Sequence, residues 1–230
     1  MSKALLVCFR HSQGGSQLIE NVDLHRKVAL LNKSLTPDNI VPRPSRIVLN
    51  NGICVAVFNP GDSIAMVNTS VCIGSMFETP TDWWKPGGRI PDGSYAIYRS
   101  NKKSVELLCD TVASRAIWYV QTSEIFVASS SQRAIVAFLG KFSPSRSAIA
   151  WMLSSGTLGP YNSWDQRIKL LEGDSRLQLD RESWKIEVVK NDVKFLALDF
   201  SPEEHRKRLK NALDDTFNRL GLDYSKWVLA

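Results

Sequence analysis

Asp92-Gly-Ser-Tyr-Ala-Ile-Tyr98, Ser104-Val-Glu-Leu-Leu-Cys109, Ala116-Ile-Trp-Tyr-Val120 and Glu124-Ile-Phe-Val-Ala128 follow one another along the chain, separated by short polar stretches. Each run is apolar, rich in β-branched and aromatic residues, and bounded by turn formers, which is the pattern of short strands. Asp110-Thr-Val-Ala-Ser-Arg115 is a polar connector between two of them. At Gln132-Arg-Ala-Ile-Val-Ala-Phe-Leu139 the apolar period changes from two to about 3.6. Strands give way there to a helix, which Gly140 ends.

Towards the N-terminus, Ala4-Leu-Leu-Val-Cys-Phe9 is a continuous apolar run, read as a buried strand that Gln13-Gly-Gly15 breaks. Asp23 to Leu35 places Leu24, Val28, Leu31 and Leu35 on one helical face. Thr36-Pro37 through Pro44 is a connector, because its prolines lack the amide donors a central strand needs. Ser45-Arg-Ile-Val-Leu49 and Ile53-Cys-Val-Ala-Val-Phe58 flank Asn50-Asn51-Gly52, and Asn-Gly between β-rich runs predicts a hairpin. Asn59-Pro60-Gly61 is a second turn, followed by short strands at Ser63 to Val67 and Ser70 to Ile73. Thr79 to Gly88, with Trp83-Trp84, is an ordered loop whose adjacent tryptophans pin it onto a sheet rather than stack a base or a sugar.

Towards the C-terminus, Ser145 to Leu153 is a second short helix with Ala148, Ile149 and Met152 on one face, and Leu158 to Trp164 is a loop. Leu177 to Leu179 and Trp184 to Val189 are hairpin-like strands, with a further strand at Asp192 to Asp199. Ser201-Pro202-Glu203-Glu204 starts a helix: Ser201 caps, Pro202 sits where no amide partner is required, and Glu204 completes a capping box. Leu209, Ala212, Leu213, Phe217 and Leu220 form its apolar stripe, expected to dock on this domain or on a following one, and Gly221 stops it. Trp227-Val-Leu-Ala230 reads as the start of another strand.

With 230 residues, 43% hydrophobic and 23% charged, the chain is long enough to bury a large core. No apolar run reaches the roughly 20 residues that span a bilayer, and the N-terminus lacks the cleavage pattern of a secretory signal. Cys8, Cys54, Cys72 and Cys109 all sit in apolar surroundings without a CxxC spacing, as buried reduced thiols of a cytoplasmic protein would. The net charge of +6 is spread out, with clusters only at Lys102-Lys103 and His205-Arg-Lys-Arg208. Neither interleaves with aromatics, which disfavours a nucleic-acid groove. His11, His25 and His205 are scattered without metal-like spacing, and His25 is a surface residue. Asp110 and Arg115 fit either an ion pair or a turn-capping Asp beside a positioned Arg.

The ordered series from Asp92 to Asp180 resembles the N-terminal domain of glutamine-dependent asparagine synthetases, which β-lactam synthetases share. Gly93-Ser94-Tyr95-Ala96 stands where that family has Gly-x-Phe-Ala, and Asp110 to Tyr119 where it has Asp-x-x-Gly-x-Arg-Pro-Leu-Tyr-Tyr. Phe126 to Ser129 matches Phe-Ala-Ser-Glu, and Ile168 to Gly173 with Leu177 to Asp180 matches Ile-x-x-Leu-x-x-Gly…Leu. The fold class read from the residues is α+β with mainly antiparallel sheets; the resemblance implies an αββα sandwich of the N-terminal-nucleophile hydrolase type. It further implies that residues 1–200 are the amidotransferase-like domain. Residues 201–230 would be a linker helix and the first strand of an ATP-binding synthetase domain.

The family's glutaminase uses an N-terminal cysteine whose own α-amine is the base. Ser2 takes the nucleophile's place here, Lys3 replaces a glycine, and Met1 in peptide linkage would remove the free amine of Ser2. Of the family's Asn-Gly-Glu oxyanion segment only the asparagine survives, in Asn68-Thr69-Ser70, and its Gly-Ser-Asp segment has no counterpart between Val71 and Pro91. Arg46 is the loose counterpart of a carboxylate-binding arginine. The resemblance therefore implies a glutaminase-silent domain, with no catalytic, cofactor-binding or metal residue of its own. It supports an ATP-dependent amide-bond-forming half, which would take ATP and magnesium and be its partner, with a homo-oligomer also compatible. The alternatives are an amidohydrolase that uses Ser2 after Met1 removal, and a basic nucleic-acid-binding module. Neither Gly87-Gly88 nor Gly14-Gly15-Ser16 has the rest of a phosphate-binding motif.

Overall fold

A computed structural model describes residues 2–10, 21–41, 43–191 and 197–220. The strands are β1 (Lys3–Phe9), β2 (Arg46–Asn50), β3 (Ile53–Phe58), β4 (Ile64–Val67), β5 (Ser70–Met76), β6 (Gly93–Ser100), β7 (Ser104–Cys109), β8 (Ile117–Gln121), β9 (Ile125–Ser129), β10 (Lys169–Leu171), β11 (Ser175–Asp180) and β12 (Lys185–Lys190). The helices are α1 (Asn21–Leu35), α2 (Gln132–Leu139), α3 (Arg146–Ser155) and α4 (Pro202–Leu220). The strands form two six-stranded sheets, in the orders β10-β8-β9-β1-β3-β2 and β12-β11-β7-β6-β5-β4. Every neighbouring pair is antiparallel, so the α+β reading with mainly antiparallel sheets holds.

Strand alternation sets the layers. Ala4, Leu6 and Cys8 of β1 face the second sheet and join Val55, Ile73, Tyr98, Leu107 and Phe126 in the main core. Leu5 and Val7 face the other way, against Leu24, Val28 and Leu31 of α1 and Ile135 and Phe138 of α2. β1 is therefore buried on both faces, which is why its sequence is apolar without a break. The outer face of the second sheet is covered by the loop between β5 and β6, not by a helix like α1 or α2. Trp83 is 5% exposed and packs with Cys72, Tyr95, Ile97 and Leu108, while Trp84 lies half-buried beside it. Burying a tryptophan ring removes about 150–250 Å² from water, an upper-bound gain of about 4–6 kcal/mol. That gain holds the loop as a layer of its own, as the pinning reading expects.

Local signals mark several boundaries well. Asn51 and Gly52, with φ of 51° and 71°, make the tight turn of the β2–β3 hairpin, where two positive φ angles match the strand twist. Gly140 ends α2 in the left-handed region, its amide donating to Val136 O. Other boundaries move: α1 begins at Asn21, β5 runs on to Met76, and β6 runs on to Ser100. In α3 only Ala148 of the expected face is buried, and Ile149 is 40% exposed. Residues 197–200 are not strand; the rest of the strand expected from Asp192, like Gln13-Gly-Gly15, His11, Gly221 and Trp227 to Ala230, lies outside the described residues.

The start of α4 follows the sequence only in part. Ser201 Oγ accepts from Glu204 N at 3.2 Å, but the Glu204 carboxylate turns to Arg208 Nε at 3.0 Å instead of closing a capping box. Of the two covers expected for the apolar stripe, this domain supplies little: Leu209, Leu213 and Phe217 are 63%, 49% and 51% exposed. What ties the helix to the sandwich is its far end, where Arg219 pairs with Asp92 at 2.9 Å and Glu78 at 3.6 Å. Periodicity identifies an apolar face; it does not say what covers it.

Candidate functional site

Ser2, the residue in the nucleophile's place, sits half-buried just before β1. Its hydroxyl donates to Asn59 O at 3.0 Å and accepts from Gly61 N at 2.8 Å. Both partners are backbone groups of the turn that leaves β3. A Cβ on Gly61 would come within 3.3 Å of Ser2 Oγ, so a side chain there would have to push the hydroxyl back by a few tenths of an ångström. A nucleophilic serine needs a base to accept its proton, and this proton points at a carbonyl. Lys3 does not supply that base, because its ammonium donates to Leu35 O at 2.9 Å.

The other family-aligned residues do not gather around Ser2. Asn68, at φ 50°, is the first residue of the β4–β5 turn, and Ser63 O near the start of β4 bonds Gly74 N. Ser2 meets Gly61 before β4 begins, so Asn68 lies a strand length away, about 13 Å at ~3.3 Å per residue. Beside it, Thr69 accepts from Ser100 Oγ at 2.8 Å, which ties the turn to β6. Arg46 is exposed on the edge strand β2, opposite Val57, at the same end of the first sheet as Ser2 but two strands across. The stretch from Val71 to Pro91 is β5 and the tryptophan loop.

Asp110 is a turn cap. Its carboxylate accepts from Tyr95 N at 2.8 Å, Val112 N at 3.0 Å and Ser114 N at 3.1 Å, and from Ser114 Oγ as well. Arg115 is not among these partners. His25 is exposed on α1, as expected, and His205 stands edge-on to Phe200 with ring centroids 5.6 Å apart. Among the described residues no three His, Cys, Asp or Glu side chains converge on a metal-sized space. All four cysteines are free and buried. Burial pushes the thiol of Cys54 up to about 11 and those of Cys72 and Cys109 up to about 12, so they stay protonated and unreactive near neutrality.

The most elaborate polar arrangement is one the sequence does not announce. Arg99 on β6 and Glu106 on β7 are direct cross-strand partners, with side chains 0% and 2% exposed and Nη1 3.1 Å from Oε2. The guanidinium also donates to Gly88 O at 3.0 Å, Arg89 O at 2.6 Å and Trp83 O. Glu106 Oε2 accepts from Gly87 N at 3.1 Å, so the ion pair clamps the tryptophan loop from beneath. At the opposite end of β1 from Ser2, Arg181 joins the sheets: it donates to Asn51 O at 2.7 Å in one and to Lys102 O at 3.0 Å in the other. Both arginines have backbone carbonyls as their main partners, which is the pattern of fixing loops. No family model matches the chain, and no curated protein sequence matches it.

Proposed function

We propose that this chain is a glutaminase-silent, amidotransferase-like N-terminal domain of an asparagine synthetase-like enzyme that forms an amide bond with ATP, and that it supports the synthetase half. The observation that carries the silent reading is the engagement of Ser2 Oγ by Asn59 O and Gly61 N, with Asn68 at the far end of β4. Two stacked antiparallel sheets, with α1 and α2 on the outer face of the one that holds β1, suit the αββ part of an αββα sandwich of the N-terminal-nucleophile type, while a loop stands where its fourth layer would be. The ordered motifs from Asp92 to Asp180 suit the family. ATP and magnesium belong, on this reading, to the synthetase half. Gly87-Gly88 is no phosphate cradle, since the Gly87 amide bonds Glu106 at 3.1 Å.

The test is ammonia release from glutamine. Purified protein is expected to release none above a buffer blank, and Ser2→Cys is expected to release none either, because that substitution does not move Asn68. A turnover that vanishes in Ser2→Ala would replace this reading with the Ser2 amidohydrolase. For the ligase part, the natural full-length protein should form an AMP-linked intermediate with ATP and magnesium, while residues 1–230 alone bind ATP negligibly. Tight ATP binding by residues 1–230 would refute it.

A further inference from the structure

On the outer face of the first sheet, the end of α1 lies beside the start of α2. An open cavity of about 420 Å³ there is lined by Lys33, Ser34, Thr36, Asp38 and Arg133, among others. A recess of about 70 Å³ lined by Lys3 shares Thr36 and Pro37 with it. Lys3 and Arg133 are close enough to feel each other: burial first, and then the charge of Arg133, lowers the pKa of the Lys3 ammonium. Among the described residues none of Lys3, Lys33 and Arg133 forms an ion pair. The first turn of α2 carries no acid, and its N-cap Ser131 makes no side-chain capping bond.

The ordinary explanation of cations here is the C-terminus of α1. A helix end carries only about half a negative charge, and Lys3 already donates to the Leu35 carbonyl at 2.9 Å. Asp38 offsets one more cation at most. With Lys3 in the adjoining recess counted, between one and two positive charges remain around an open cavity with hydroxyls on its wall. A flat guanidinium with two ammonium groups nearby suits a multiply charged tetrahedral anion better than a single carboxylate.

We propose that this cavity binds a small molecule through a phosphate group, with Arg133 and Lys33 as direct ligands and Lys3 adding charge from behind the Leu35 carbonyl. The proposal stands apart from the amide-ligase reading. The probe is inorganic phosphate at slightly alkaline pH, compared with acetate and chloride at matched ionic strength. For a site with Kd on the order of 1 mM, 10 mM phosphate should raise Tm by about 3 °C. Acetate should give much less, Arg133→Gln or Lys33→Gln should at least halve the rise, and the double variant should abolish it. An equal rise with chloride or acetate, or a full rise in the double variant, would overturn the proposal. Should the double variant not fold, phosphorus NMR on the wild-type protein decides: phosphate that shows no line broadening on adding protein refutes the site.

Discussion

Arg99→Met separates two ways of holding the tryptophan loop: by the burial of Trp83 alone, or by burial together with the polar clamp beneath it. The substitution keeps an unbranched apolar stem, ends about two atoms short of the guanidinium nitrogens, and removes every donor. Glu106 is left with Gly87 N and with Arg176, which is 3.9 Å away and 41% exposed. Removing one member of a buried ion pair costs about 3–5 kcal/mol, because the other charge stays uncompensated. The carbonyls of Trp83, Gly88 and Arg89 also lose a donor, and those that water does not reach add about 1 kcal/mol each. A loss of about 4 kcal/mol is then expected, a large share of the roughly 5–15 kcal/mol that a domain has in total. For a domain of this size that corresponds to a Tm lower by roughly 8–16 °C. Glu106→Leu on top of Arg99→Met removes the stranded charge and should restore about half. Urea unfolding followed by circular dichroism gives the energies. Limited trypsin digestion gives the location, since the bond after Arg89, the loop's one Lys or Arg not followed by proline, should become the first cut. A loss below about 1 kcal/mol, a double variant no better than the single one, or first cuts elsewhere would show that tryptophan packing alone holds the loop.

Leu213→Asp is expected to change stability by less than about 0.5 kcal/mol, since Leu213 is 49% exposed; a loss of several kcal/mol in urea unfolding would show that the stripe is covered in solution. The thiols give a pH prediction. Cys54, Cys72 and Cys109 have native pKa values of about 11, 12 and 12 against an ordinary value of 9.0. The native state holds their protons while the unfolded state releases them, so their contribution is complete below about pH 9 and declines between there and about pH 12. Urea midpoints across that range should fall less steeply in a Cys72→Ala, Cys109→Ala variant, and native protein at pH 8 should react with a thiol reagent only as fast as it opens. An unchanged slope, or immediate labelling of all four thiols, would contradict the burial.

Much of the fold was legible because its signals are local. The change of period at Gln132, the stop at Gly140 and the Asn51-Gly52 turn each depend on a few neighbouring residues, and each falls where the residues place it. Arg99 was not legible for the opposite reason. Alternation puts it on the same face as Tyr95 and Ile97, and that face is buried only because residues 77–91 fold over it. Its pairing with Glu106 was nevertheless recoverable once β6 and β7 were read as a hairpin, since the register sets the two opposite each other. The α4 stripe shows the converse case: the pattern marks an apolar face, but its period does not choose between this domain and a following one as its cover.

The same alternation explains why Ser2 and Lys3 do not cooperate. Successive side chains of a strand point to opposite faces. Ser2 shares the face of Ala4, Leu6 and Cys8, towards the second sheet, while Lys3 shares the face of Leu5 and Val7 and reaches the end of α1. A basic residue next to a hydroxyl in sequence is thus held a sheet's thickness from it in space. The hydroxyl, lacking a base on its own side, takes the partners the turn at residues 59–61 offers, and they satisfy both its proton and a lone pair. Activating it would require a free amine or another base on that face, together with an oxyanion donor nearer than Asn68. Ser2 therefore serves as a latch between the first strand and the turn leaving β3.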